Sequence, residues 1–212
     1  NWDVWHGMLP IESYTLDEAR FLSEFGMQAA PHINTLRRFL PTGKLWPINE
    51  LWTYHYHVPD KMIPYLKDFG DPRWLHEYVF LTQLVQAEAL GTAIEHARRR
   101  KFACGGALYW SLNAPWPNMC WETVDYYGRP KMGFYAAKRA FAPVLVSPVK
   151  SGEAIEVYVV NDWLREVSGE LTVRVMNVRE HKVVKEVTMP VKAPANASAL
   201  VAQLQVGELV KD

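Results

Sequence analysis

The strongest constraint on how this chain can fold is a pair of short apolar strands separated by one long helical segment. "ARFLSEFG" reads as a strand ending at Gly26, and "FACGGALYWSLN" as a second buried strand ending at Trp110. Between them, "RWLHEYVFLTQLVQAEALGTAIEHARRR" carries Phe80, Leu84, Ala87, Gly91 and Ile94 at helical spacing, so that face is expected to be the buried one. Arg98, Arg99 and Arg100 then suit the negative carboxyl end of the helix. A further helix is expected in "KMGFYAAKRAFAPV", closed by Pro143. Strand, helix, strand, helix predicts a parallel unit, because parallel strands need a crossover. Both faces of a parallel sheet need covering, so this unit expects further strands beside it.

The pattern changes near Val144. From there on, short half-buried strands dominate: Ile155, Val157 and Val159 share one face, and Leu171, Val173 and Val175 another, against outward Thr172 and Arg174. "VVKEVTMPV" and Leu200, Ala202, Leu204 and Val206 repeat the alternation, with turn material at Val167-Ser168-Gly169 and Pro194-Ala195-Asn196. Residues 144–212 are therefore expected to form a β-sandwich, and residues 1–143 an α/β part. The visible strands fall short of the roughly seven of a complete immunoglobulin-like sandwich. With an opening on Asn1-Trp2-Asp3 and no Met, the chain reads as a piece of something longer.

Composition narrows the partners. The 23 basic and 23 acidic residues cancel, giving no sign of nucleic acid or an anionic membrane. No run approaches the roughly 18 apolar residues of a membrane span. Nine Trp exceed what packing usually asks for and point to stacking on a ligand. Cys104 and Cys120 have no metal spacing, and pairing or free thiols are both open. The stretch from Pro41 to Asp71 shows little periodicity, but its aromatic residues argue for order.

Candidate chemistry starts at Glu24. A carboxylate at the end of a strand in a (β/α) barrel stands where catalytic groups sit, with Gly26 letting the chain turn; a salt bridge to Arg20 is the bland alternative. Trp110 ends the next strand, and Asn113, Trp116, Asn118 and Trp121 follow in one Pro-broken loop. Flat aromatic faces with neighbouring amides suit a sugar ring. Trp5 and His6 precede the strand of Glu24 and join as substrate-binding candidates or as packing. His55 and His57 lie on one side of what reads as an extended segment, but no third metal ligand is placed. Asn49-Glu50 is an Asn-Glu pair with no evident role. A Ser elbow, a phosphate loop and a dinucleotide fingerprint are all absent, so neither cofactor nor metal is expected.

The segments "WDVWHG", "RFLSEFGMQAAP", "YWSLNAPWPNMCWETVDYYGRPKMGFYAAKRAFAPV" and "VYVVNDW", in that order, resemble the carboxyl-terminal part of glycoside hydrolase family 2 and its β-mannosidase branch. The resemblance is weak from Pro41 to Asp71. It implies the end of a (β/α)8 TIM barrel followed by an immunoglobulin-like β-sandwich, with Glu24 the nucleophile and Trp110 the floor of the sugar site. Mannosidases often carry Asp where this chain has Ala114, which keeps an exo-β-glucosaminidase or another family 2 glycosidase open. The implied activity is retaining hydrolysis of terminal β-mannosyl residues. The acid/base Glu that the family places upstream of the nucleophile is not in this chain, so the amino-terminal remainder of the enzyme is the implied partner. Without that remainder, the chain is expected to be inactive. A carbohydrate-binding module without catalysis and a structural interaction domain are the readings from other classes.

Overall fold

The computed structural model describes residues 1–209. It is a mixed helix-and-strand structure of two compact units, one of Asn1–Ala97 with Cys104–Phe141, the other of Arg98–Ala103 with the chain from Ala142 on. Among the described residues, no helix is long and apolar enough to cross a membrane.

The first unit begins with a 3-10 turn, Ile11–Leu16, and the strand β1, Leu22–Phe25. Helix α1, Ile33–Phe39, follows, its first turn capped by His32, which accepts from the Asn34 amide at 3.1 Å. The stretch of little periodicity holds α2, Glu50–Tyr54, and α3, Pro59–Leu66. Asn49-Glu50 belongs to the start of α2: Asn49 caps it and Glu50 pairs with Lys44 at 2.8 Å. The long helix α4, Leu75–Arg99, starts where the Glu77 carboxylate accepts the Arg73 and Trp74 amides. Strand β2, Ala107–Tyr109, then pairs with β1 in parallel, as the strand–helix–strand order predicts. It is half-buried rather than buried. Helix α5, Met132–Ala140, completes the unit.

The buried face of α4 differs from the expected one. Phe80 is exposed, Leu84, Ala87 and Gly91 are half-buried, and of the expected set only Ile94 is fully buried. The inward face instead carries Thr82, Gln83 and Gln86 among Val79, Val85, Ala89, Leu90 and Ala93. These polar side chains meet the buried but irregular segment that follows β1. Thr82 accepts from the Ala30 amide at 3.1 Å, Gln83 donates to the Ala30 carbonyl at 3.0 Å, and Gln86 donates to the Met27 carbonyl at 2.9 Å. Buried backbone without a sheet partner needs such bonds, and that need selects the face. The core of the unit gathers Val4, Trp5, Phe25, Met27, Leu36, Trp52, Met62 and Tyr78 around Leu90 and Ile94.

Among the described residues, the second unit holds five strands: β3 (Val144–Ser151), β4 (Ala154–Asn161), β5 (Val167–Asn177), β6 (Lys182–Ala193) and β7 (Ala197–Gln205). They form a three-stranded antiparallel sheet in the order β3-β4-β7 and a two-stranded antiparallel ribbon, β5-β6. Gly152, at φ 57°, makes the tight turn between β3 and β4. Val167-Ser168-Gly169, expected as a turn, is the start of β5, paired to Ala193–Val191. Leu200 does not share a face with Ala202 and Leu204. A bulge sets Tyr158 against Leu200 and Val157 against Ala202, and the extra residue reverses the alternation, leaving Leu200 half exposed. Val206 leaves the strand and opens a short helix, α6 (Val206–Leu209).

The fully buried Asn161 organises one end of this unit. Its amide donates to the carbonyls of Arg165 at 2.8 Å and Pro194 at 2.9 Å, and its oxygen accepts from the Trp163 amide at 2.9 Å. Neighbouring Asp162 takes Arg98 at 2.8 Å and Lys101 at 2.7 Å.

Candidate functional site

Parallel pairing brings the carboxyl ends of β1 and β2 to one side. Glu24 stands there, exposed, one residue from the end of β1. Its Oε2 accepts a hydrogen bond from the indole Nε1 of Trp2 at 3.0 Å, an uncharged donor where the bland alternative had a salt bridge to Arg20. The Trp110 amide donates to the Phe25 carbonyl at 2.8 Å, so Trp110 enters at the same end, half exposed. The Trp110–Ser111 peptide is cis.

Gly26 has another reason than the expected sharp turn. Its φ lies outside the left-handed region, and a Cβ there would run into the Trp110 carbonyl oxygen, with Trp121 at 3.1 Å and Trp2 at 3.2 Å. Close approach of three aromatic residues requires the missing side chain.

Beyond this corner, Tyr56, Trp110, Ser111, Asn113, Pro115, Trp116 and residues of the following turn line an open cleft of about 430 Å³. Trp121 ties the cleft to the Glu24 corner: its ring lies 5.8 Å from Trp2 and 6.0 Å from His6. The loop is anchored from beneath by a buried ion pair, Glu122 to Lys131 at 2.5 Å. Lys131 also donates to the Ala29 carbonyl at 2.7 Å and the Cys120 carbonyl at 3.2 Å. Burial pushes the Glu122 carboxyl up, and the Lys131 ammonium draws it back.

The sequence candidates separate in this geometry. Glu24 and Trp110 share the strand-end side, while Asn113 and Trp116 lie on the cleft with Trp110. His6 is exposed beside Trp2, at 5.0 Å between rings, and burial first, then the Lys61 charge, lowers its pKa. Trp5 is corrected to a packing residue: 1% exposed, it stacks on Tyr65 at 6.3 Å and meets Trp121 edge-on. No face of its ring is open to a sugar.

His55 and His57 do not lie on an extended segment. His55 caps α2 and bonds the Pro117 carbonyl at 2.7 Å, whereas His57 is fully buried against the Tyr78 hydroxyl at 2.5 Å. Among the described residues, no group of three or more His, Cys, Asp or Glu could hold a metal. Cys104 and Cys120 are free and buried.

Sequence reasoning missed Trp2, Tyr56 and Lys131. Trp2 shares the "WDVWHG" segment with Trp5, and only the fold shows which of the two faces Glu24. Tyr56 lay between the two histidines that drew attention as ligands.

Comparison with known proteins bears on this geometry. Residues 153–212 match the family described as a Mannosidase Ig/CBM-like domain. Beta-mannosidase B of Emericella nidulans is 32% identical over 87% of this chain, as is that of Aspergillus niger. A crystal structure of beta-D-mannosidase from Dictyoglomus thermophilum superposes over 100% of the chain with TM-score 0.82 and 31% identity. Over these stretches the chain is similar to β-mannosidases. It spans about a quarter of the length of these proteins: 25% and 24% of the two curated relatives and 26% of the solved structure. Exo-chitosanase from Amycolatopsis orientalis, at 22% identity, TM-score 0.71 and coverage of 93% of this chain and 26% of its own, shares the fold.

Proposed function

We propose that this β-mannosidase-like chain is the carboxyl-terminal part of a (β/α)8 barrel followed by an immunoglobulin-like sandwich. With the rest of the enzyme, it acts as a retaining exo-glycosidase on terminal β-mannosyl residues. The observation that carries the reading is Glu24 at the end of a parallel strand, its oxygen held by the Trp2 indole at 3.0 Å, next to a tryptophan-lined cleft.

In the mechanism, the Glu24 carboxylate attacks the anomeric carbon while a second carboxyl, about 5–5.5 Å away, protonates the leaving oxygen and then activates water. Glu122, which lines the cleft, is buried and committed to Lys131 at 2.5 Å. The family resemblance implies that the acid/base comes from a part of the enzyme amino-terminal to Glu24's strand. Trp110 supplies a half-exposed ring as floor for the sugar.

The test uses the full-length protein and a 2-deoxy-2-fluoro-β-mannosyl fluoride, which forms a slow glycosyl-enzyme. Peptide mapping is expected to find the label on Glu24, and Glu24→Ala to abolish turnover while keeping sugar binding. A label elsewhere, or turnover unchanged in Glu24→Ala, overturns the assignment. A parallel assay on β-glucosaminides separates the two sugars that Ala114 keeps open.

A further inference from the structure

Lys131, at the N-cap of α5, carries its ammonium into the core: the residue is 1% exposed and its partner Glu122 2%. All three ammonium protons are spent there, on Glu122 Oε1 at 2.5 Å, the Ala29 carbonyl at 2.7 Å and the Cys120 carbonyl at 3.2 Å. The same Glu122 oxygen accepts the Cys120 amide at 3.3 Å. A buried ion pair is weak evidence for stability, since apolar side chains of similar size in its place are often no worse; what it can supply is a fixed geometry.

That geometry joins two strand-end segments. Ala29 belongs to the segment after β1, and Cys120 and Glu122 to the loop after β2; the Ala29 amide also donates to the Cys120 carbonyl at 3.1 Å. From α4, fully buried Gln86 bridges the same two segments, donating to the carbonyls of Met27 at 2.9 Å, Trp121 at 3.2 Å and Glu122 at 3.3 Å. The Trp121 backbone is therefore held on both sides. Its indole Nε1 is buried and makes no hydrogen bond among the described residues, so backbone and packing alone orient the ring.

The ring of Trp121 in turn meets that of Trp2 edge-on at 5.8 Å, and a Cβ on Gly26 would lie 3.1 Å from one and 3.2 Å from the other. Trp2 gives its indole proton to Glu24 at 3.0 Å. Contact is thus unbroken from the ammonium through the backbone of residues 120–122, the Trp121 ring and the Trp2 ring to the carboxylate.

We propose that Lys131, together with Glu122 and Gln86, is a positioning residue for Glu24: it fixes Trp121, Trp121 seats Trp2, and Trp2 aims the carboxylate. This rests on the reading of Glu24 as nucleophile. Attack demands a narrow range of distance and angle, and a small displacement transmitted from remote residues costs rate. Lys131 therefore governs the attack step and leaves sugar binding alone.

The experiment follows labelling of the full-length protein by the 2-deoxy-2-fluoro-β-mannosyl fluoride, reading the labelling rate constant and the binding constant of the reagent separately. Lys131→Met/Glu122→Leu removes both charges at once, so that neither is left alone in the core. Trp2→Phe removes the donor to Glu24. Each is expected to lower the rate constant about tenfold with binding unchanged. The two combined are expected to stay near tenfold, because both break one line of contacts. A combined loss near a hundredfold, an unchanged rate constant in the pair variant, or a loss that falls on binding overturns the proposal. Gln86→Met leaves the charges in place and carries the same expectation, so it decides the matter should the pair variant fail to fold. Labelling of Glu24 in the unsubstituted protein keeps the nucleophile reading standing whichever way the variants fall; its failure sinks both.

Discussion

The indole of Trp2 and the carboxylate of Glu24, 22 residues apart, meet in a 3.0 Å hydrogen bond at the carboxyl end of β1. An N–H donor aimed at one carboxylate oxygen orients the group, and in the proposed mechanism the other oxygen is the one that attacks. Trp2→Phe keeps the ring and removes the donor. We expect kcat/KM on a β-mannoside to fall about tenfold in the full-length protein, the size of one bond to a charged group at a solvated site. Steady-state kinetics, with far-UV dichroism as a check on folding, measures it; unchanged kinetics would show the bond to be idle.

Gly26→Ala tests the crowding behind Glu24. The added methyl meets the Trp110 carbonyl oxygen, a backbone atom that cannot swing aside, with Trp121 at 3.1 Å. Overpacking of this kind costs about 1–3 kcal/mol, and the displaced atoms carry Trp110. Thermal melting should show the loss of stability, and turnover should fall further than stability alone predicts.

His57 makes part of the stability depend on pH. Burial lowers its pKa from 6.5 to about 4, so between these values the unfolded chain binds a proton that the folded chain refuses. Stability is therefore fully present above pH 6.5 and is lost as pH falls towards 4, by about 3 kcal/mol at most. Urea midpoints measured across that window should fall with pH, and His57→Gln should flatten the slope. A slope that survives the substitution would assign it to other groups.

Asn161 is expected to be the most sensitive polar position of the second unit. Asn161→Ala leaves the carbonyls of Arg165 and Pro194 and the Trp163 amide without their buried partner. The cost should be about 2–4 kcal/mol, seen as a lower denaturant midpoint. Asn161→Asp should not rescue it, because a carboxylate cannot donate to the two carbonyls.

Much of the local structure was legible. The parallel pairing of β1 and β2 followed from a helix between two strands, and the alternation of Leu171, Val173 and Val175 against Thr172 and Arg174 appears as read. Glu24 and the loop from Trp110 to Trp121 stood out as candidates because polar and aromatic residues crowd a strand end, and the structure brings the strand ends together. The inward face of α4 was not legible. An apolar count favours Phe80 and Leu84, whereas the helix turns Thr82, Gln83 and Gln86 inward to bond the backbone after β1. Nothing in helical periodicity reports that a distant carbonyl lacks a partner.

By itself the sequence determined the order of elements, the strand patterns and the residue types gathered near Glu24, since these depend on neighbours a few positions apart. Only the tertiary structure decided that Trp2 rather than Trp5 serves Glu24, that Gly26 answers to Trp110 and Trp121, that a bulge turns Leu200 outward, and that Gln28 holds Tyr56 on the cleft. Each of those is a distance between groups remote in the chain. A hydrogen bond or a steric contact acts over a few ångströms of space, and spacing along the sequence carries no record of it until the chain is packed.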